Sequence, residues 1–204
     1  MKFYSSLFII LAALLFPSGV FACACCVDVG YYSIRVRKPD SYILDILKKL
    51  RFETANIYAT PAYPDDIKGI TSLAENYSVE GLLSSKSWKF NLAGGNNKSG
   101  ILNLPLPTTM VDYGADLHND GNQTVGDVTI YKEWRFKSKV QSATGIFKNG
   151  IAPNTEYFLV LQGKGNACPN ASDFTHWRLE IVGKKAGYAF FGKLSSRNSD
   201  KAEN

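Results

Sequence analysis

Several things are missing from this 204-residue chain, and each absence excludes a class of function. Beyond its first 22 residues no stretch is apolar for long enough to span a bilayer, which argues against a membrane-spanning helix in the mature chain. No dense block of basic residues occurs; 23 Lys and Arg against 18 Asp and Glu leave a formal charge of only +5, so nucleic acid is not an expected partner. A second Cys-x-x-Cys to pair with the run Cys23-Ala24-Cys25-Cys26 is absent, and Met110 is the only methionine besides Met1. Gly163-x-Gly165 has neither the third glycine nor the following helix that a phosphate cradle requires.

What is present begins with Met1 to Ala22, which reads as a secretory signal peptide. Lys2 supplies a positive start, Leu7 to Phe16 is an unbroken apolar run, and Pro17-Ser18-Gly19 breaks the helix before Val20-Phe21-Ala22. Ten such residues rise about 15 Å as a helix, half of a bilayer core of about 30 Å. Cleavage after Ala24 also fits, and Val20-Phe21-Ala22-Cys23 resembles a lipoprotein box in which Cys23 would carry lipid. Either way the expectation is export, to a periplasm or the extracellular space. It implies a single β-rich domain over residues 23–194 and a flexible tail over 195–204.

The chain carries 11 Tyr, 12 Phe and 3 Trp, residues that favour half-buried strand positions. Tyr32, Ile34 and Val36 alternate with Ser33, Arg35 and Arg37, which predicts a strand ended by Pro39. Asp40 or Ser41 then caps a packing helix to about Leu50, with Ile43, Leu44, Ile46, Leu47 and Leu50 on one side and Lys48, Lys49 and Arg51 at the C-terminal end. A brief strand is expected at Asn56–Ala59 and a short helix at Asp65–Ala74. Further strands are expected at Tyr77–Leu83, Ser87–Leu92, Ile101–Leu104, Asp127–Lys139, Ala143–Lys148, Glu156–Gln162, Phe174–Val182 and Gly187–Leu194, with a polar loop over Asp112–Gly126. Glu156–Gln162 is apolar on both faces and should be central. Short turns imply antiparallel pairing, hence a β-sandwich or barrel of about eight strands with one N-terminal packing helix. Trp88-Lys89, Trp134-Arg135 and Trp177-Arg178 form an echo, read as three strands that each bury a tryptophan beside a solvated cation.

Three of the four cysteines crowd into Cys23-Ala24-Cys25-Cys26, and the fourth is Cys168. In an exported chain an even count favours disulfides, so Cys168 is expected to bridge to one of Cys23, Cys25 or Cys26 and pin the N-terminus to the sheet. The alternative is a metal-handling protein in which Cys23, Cys25, Cys26 and Cys168 hold copper or zinc as thiolates. Asp116, His118, Asp120, Gly121 and Asp127 match positions of a calcium loop, although position 3 is histidine and the flanking helices are lacking. Cys168, Asp173 and His176 lie close enough in sequence to suggest a hydrolase centred on His176. Asn76, Asn97, Asn122 and Asn170 head glycosylation sequons.

No catalytic signature stands out. The leading expectation is an exported, non-catalytic binding protein, with a small polar ligand or an envelope protein as partner. Its candidate binding surface is the polar face of the sheet, where Glu133 and Arg135 on one strand and His176, Arg178 and Glu180 on another alternate with buried residues.

Overall fold

A computed structural model describes residues 25–61, 66–84, 86–96, 98–117 and 128–197. The expected leader, Cys23 and the tail from residue 198 onward lie outside the described residues.

The first strand and the helix form where the pattern places them. β1 (Tyr32–Arg37) leads to α1 (Ser41–Lys49), whose N-cap is Asp40; its carboxylate accepts the Ile43 backbone N–H at 2.9 Å. Lys48 and Lys49 occupy the last turn, where the helix dipole favours cations, and Ile43, Ile46 and Leu47 are buried. The helix then runs into a strand without a loop, because Leu50 is both its C-cap and the first residue of β2 (Leu50–Tyr58). The remaining strands are β3 (Asn76–Leu83), β4 (Ser87–Ala93), β5 (Ser99–Pro105), β6 (Met110–Asp116), β7 (Ile130–Lys139), β8 (Ser142–Ala143), β9 (Glu156–Gly165), β10 (Phe174–Gly183) and β11 (Ala186–Ser196). Two short 3-10 turns, Gly145–Gly150 and Ala171–Asp173, connect them.

All eleven strands belong to one antiparallel sheet, in the order β1-β6-β7-β9-β10-β11-β2-β3-β4-β5-β8, curled into a half-barrel. This corrects the expected sandwich or barrel of about eight strands. The curl folds β4 back over the middle of the sheet. Trp88 meets Phe136 of β7 with ring centroids 6.3 Å apart, and Phe90 stacks on Trp177 of β10 at 5.9 Å. Phe52 of β2 fills the angle, edge-on to Trp88, Phe90 and Trp177. The core therefore lies inside the curl, and each fully buried ring there contributes on the order of 2–3 kcal/mol by area alone. The three tryptophans of the echo are all buried, each with its neighbouring cation on the opposite face.

β9 is central, between β7 and β10. At Gly163 a Cβ would fall 1.7 Å from the Asp173 carbonyl oxygen, so only glycine lets β9 pass this close to the Ala171–Asp173 turn.

Other expectations are corrected. Asp112 lies in β6 and not in a loop. The strand at Asn56–Ala59 begins six residues earlier, at Leu50. Ala143–Lys148 is the two-residue β8 followed by a 3-10 turn. No helix forms over the described part of Asp65–Ala74: Gly69 sits at φ +95°, and Lys68 makes an isolated bridge to Gly187. The final strand extends to Ser196, because Ser195 and Ser196 pair with Arg51 and Leu50. No described helix is long and apolar enough to cross a membrane, which says nothing of a β-barrel.

Candidate functional site: the outer face of the sheet

Alternation sends every second side chain of β7, β9, β10 and β11 into the core and the others outward. Register aligns the outward ones in rows. Glu133, Gln162, His176 and Lys193 form one, and Arg135, Val160, Arg178 and Phe191 the next. A third contains Lys137, Phe158, Glu180, Ala189 and Tyr58. All five residues singled out from the sequence stand on this one face.

They do not converge on a pocket. Strands lie about 4.8 Å apart, so Arg135 and Arg178, with β9 between them, are roughly 10 Å apart. Three of the cations are instead closed by a neighbouring carboxylate. Arg135 donates to Glu133, and Arg178 donates to Glu180 at 2.6 Å. Lys137 pairs with Glu156 at 3.1 Å and lies over the Phe158 ring. Tyr131 donates its hydroxyl to Glu133 at 2.7 Å. Burial pushes the Glu133 carboxyl upward, but the hydrogen bonds from Arg135 and Tyr131 outweigh it and hold the group below the usual carboxylate range. The Tyr131 hydroxyl is driven upward by its own burial and by the carboxylate it serves. Glu133–Arg135 and Arg178–Glu180 are thus satisfied as pairs within the face.

His176 stacks on Phe191 at 5.8 Å, and its Nδ1 lies 3.0 Å from the Thr175 hydroxyl. It borders a shallow 260 Å3 cavity with Leu117, Tyr131, Gln162, Lys164 and Thr175, none of the described lining residues being a carboxylate. The suggested partners are committed elsewhere. Asp173 accepts from Lys132 at 2.5 Å, and Cys168 is bonded to Cys25. Among the described residues no nucleophile and acid gather around His176.

The cysteine expectation becomes specific. Cys25 and Cys168 form a disulfide with Cα atoms 5.0 Å apart, and the bridged segment is also held by the Ala167 N–H to the Cys25 carbonyl at 3.0 Å. Cys26 is disulfide-bonded as well. Thiolate ligation of copper or zinc by Cys25 and Cys168 would first require reduction. Among the described residues no group of three or more His, Cys, Asp and Glu gathers to hold a metal. Of the calcium-loop residues only Asp116 is described, and its carboxylate accepts the Gly30 N–H at 2.8 Å; His118, Asp120, Gly121 and Asp127 lie outside the described residues. Asn170 caps the Ala171–Asp173 turn and Asn76 opens β3, both exposed, while Asn97 and Asn122 are not described.

Sequence reasoning missed the polar cluster on the other side of β1 and β6. Asp112 accepts from Trp134 Nε1 at 3.2 Å, Arg35 at 3.2 Å and Arg37 at 3.4 Å. With Tyr42 and the buried Lys132 it borders a 270 Å3 cavity against Cys168. The available signal was the pair of arginines alternating along β1, with which a carboxylate on the neighbouring strand can pair. No protein-family model, curated protein or solved structure matches this chain.

Proposed function

We propose that this chain is an exported, non-catalytic protein that docks a protein partner on the outer face of its sheet. The observation that carries the reading is the composition of that uncovered face. Val160 and Phe158 form its floor, Phe191 and Tyr58 stand exposed beside them, and Arg135, Lys137 and Arg178 around them are already paired with Glu133, Glu156 and Glu180. A small polar ligand needs free donors or acceptors gathered within a few ångströms, whereas these are spread over three rows and matched internally. A protein surface suits the face better. It can cover apolar side chains while leaving each ion pair intact, so no lone charge is stranded without water. The disulfide is compatible with export, where thiols persist in oxidised form.

The test is site-specific photo-crosslinking in the native host. A crosslinking residue at Val160 or Phe191 is expected to capture one and the same protein, and at exposed Glu80 on β3 to capture none. Capture weakened by His176→Ala with Arg178→Ala would place those residues at the contact. An absence of protein adducts, or equal adducts at all three positions, would refute the reading.

A further inference from the structure

β1 is an edge strand whose free side can be read from its hydrogen bonding. The Asp116 N–H donates to the Tyr31 carbonyl at 2.8 Å, which fixes Tyr31 and Asp116 as a bonded pair. Bonds alternate along an antiparallel ladder, so Ser33, Arg35 and Arg37 direct their backbone groups at β6. Tyr32, Ile34 and Val36 therefore direct N–H and C=O away from the sheet. Among the described residues no strand lies on that side.

The same three residues carry the most exposed row of apolar side chains, at 64%, 56% and 72%. The usual protections of an edge are absent: β1 contains no proline, no lysine and no break in register. Its two arginines point to the other face, where Asp112 and Asp40 engage them.

We propose that β1 pairs antiparallel with β1 of a second copy, about a two-fold axis through Ile34. This register sets Tyr32 opposite Val36 of the second copy and Ile34 opposite its counterpart, an apolar row on one face. On the other face it sets Ser33 opposite Arg35, so no like charges meet. All three outward residues of each copy are matched, giving six backbone hydrogen bonds. Lys38 follows the strand and falls opposite Gly30 of the second copy, two residues from exposed Asp28, while Asp28 falls level with Asp40, whose carboxylate Arg37 and the Ile43 N–H already engage. A parallel pairing would gather the lysines at one end and the aspartates at the other. The proposal does not rest on docking at the middle of the sheet face, since it uses the strand edge.

An interface this narrow falls below the roughly 1,200 Å2 of a stable complex, so the dimer is reversible, with a Kd on the order of 10–100 µM. Sedimentation velocity on the oxidised protein from about 1 to 300 µM tests it. The dimer fraction is expected to rise across that range. Val36→Pro removes only the outward donor and spares the β6 ladder, and Ile34→Lys charges the apolar row. Each is expected to raise Kd about tenfold or more. Val160→Asp, away from the edge, leaves the dimer intact while it would disrupt docking on the face. Amide exchange gives a readout free of substitutions: Tyr32, Ile34 and Val36 should gain protection with concentration, Ser33 and Arg35 should not. A monomer at every concentration, a dimer indifferent to both edge variants, or protection of the three amides at 1 µM while the protein sediments as a monomer would overturn the proposal. The last result would mean that the chain covers its own edge.

Discussion

Replacing Cys25 and Cys168 together by serine should cost stability that the position of the bridge allows to be calculated. The two cysteines are 143 residues apart. Cross-linking so long a loop removes about 5 kcal/mol of conformational freedom from the unfolded chain at 25 °C, which is an upper limit. The native state recovers some of it once the bridge is cut. Residues 25–31 then rest on the Ala167 to Cys25, Gly30 to Asp116 and Asp116 to Tyr31 hydrogen bonds, and each residue that frays regains about 1–2 kcal/mol of backbone freedom. The expected net loss is therefore roughly 2–5 kcal/mol. The double variant is preferable to a reductant because Cys26 is also disulfide-bonded and should be left as it is. Denaturant titration followed by tryptophan fluorescence suits the protein, since Trp88, Trp134 and Trp177 are all buried and report on the core. A loss below about 1 kcal/mol would refute the reasoning. It would mean that the first described residues hold no fixed position in the reduced protein and that the bridge restrains a segment the fold does not use.

Two other perturbations probe polar groups. Lys132 is nearly enclosed, its side chain 5% exposed, and holds Asp173 and the Cys168 carbonyl. Lys132→Met should cost about 3–5 kcal/mol, and adding Asp173→Asn should return a large part of it, because the penalty lies in leaving one charge alone. A double-mutant cycle that gives additive losses would count against that account. Asp40→Ala should cost about 1 kcal/mol at pH 7 by removing the cap of α1. The Ile43 N–H, aided by Arg37, holds the Asp40 carboxyl below its ordinary value, so its contribution is complete above the unfolded carboxylate range near pH 4 and disappears as pH falls through the folded value. Wild type and variant should therefore converge in strongly acid solution; a gap that persists at pH 2 would show that ionisation is irrelevant to the cap.

Local pattern was readable where the contrast between neighbouring side chains is strong. The alternation in β1, the cap and apolar side of α1, and the double-sided apolar character of β9 all led to the right element. β6 was hidden because its polar Asp112 resembles a loop residue until Arg35 and Arg37, far away in sequence, are known to reach it. The first half of β2 was hidden because the chain passes from helix to strand between Lys49 and Leu50 without glycine or proline to mark the change. Strand count and the single curled sheet depend on which strands pair, and residue types do not encode that locally. At the site, alternation placed Glu133, Arg135, His176, Arg178 and Glu180 on one face. It could not show that the carboxylates and guanidiniums close on each other, nor that Lys132 on the same strand points inward to Asp173.

The joint between the two halves of the sheet has a consequence for how the chain is made. β2 meets β3 through only two residue pairs, whereas its other side pairs along nearly its whole length with β11, the last strand of the chain. During synthesis β2 emerges early and its main neighbour emerges last. Strands β3 to β5 and the β9-β10-β11 meander close with near neighbours, so they can assemble first and quickly. Phe52 can pack early on Trp88 and Phe90 of β4, but the long ladder of β2 waits until β11 is made. Closure of this joint is thus tied to β11, and a chain cut short before it would leave β2 held only by its two pairs with β3.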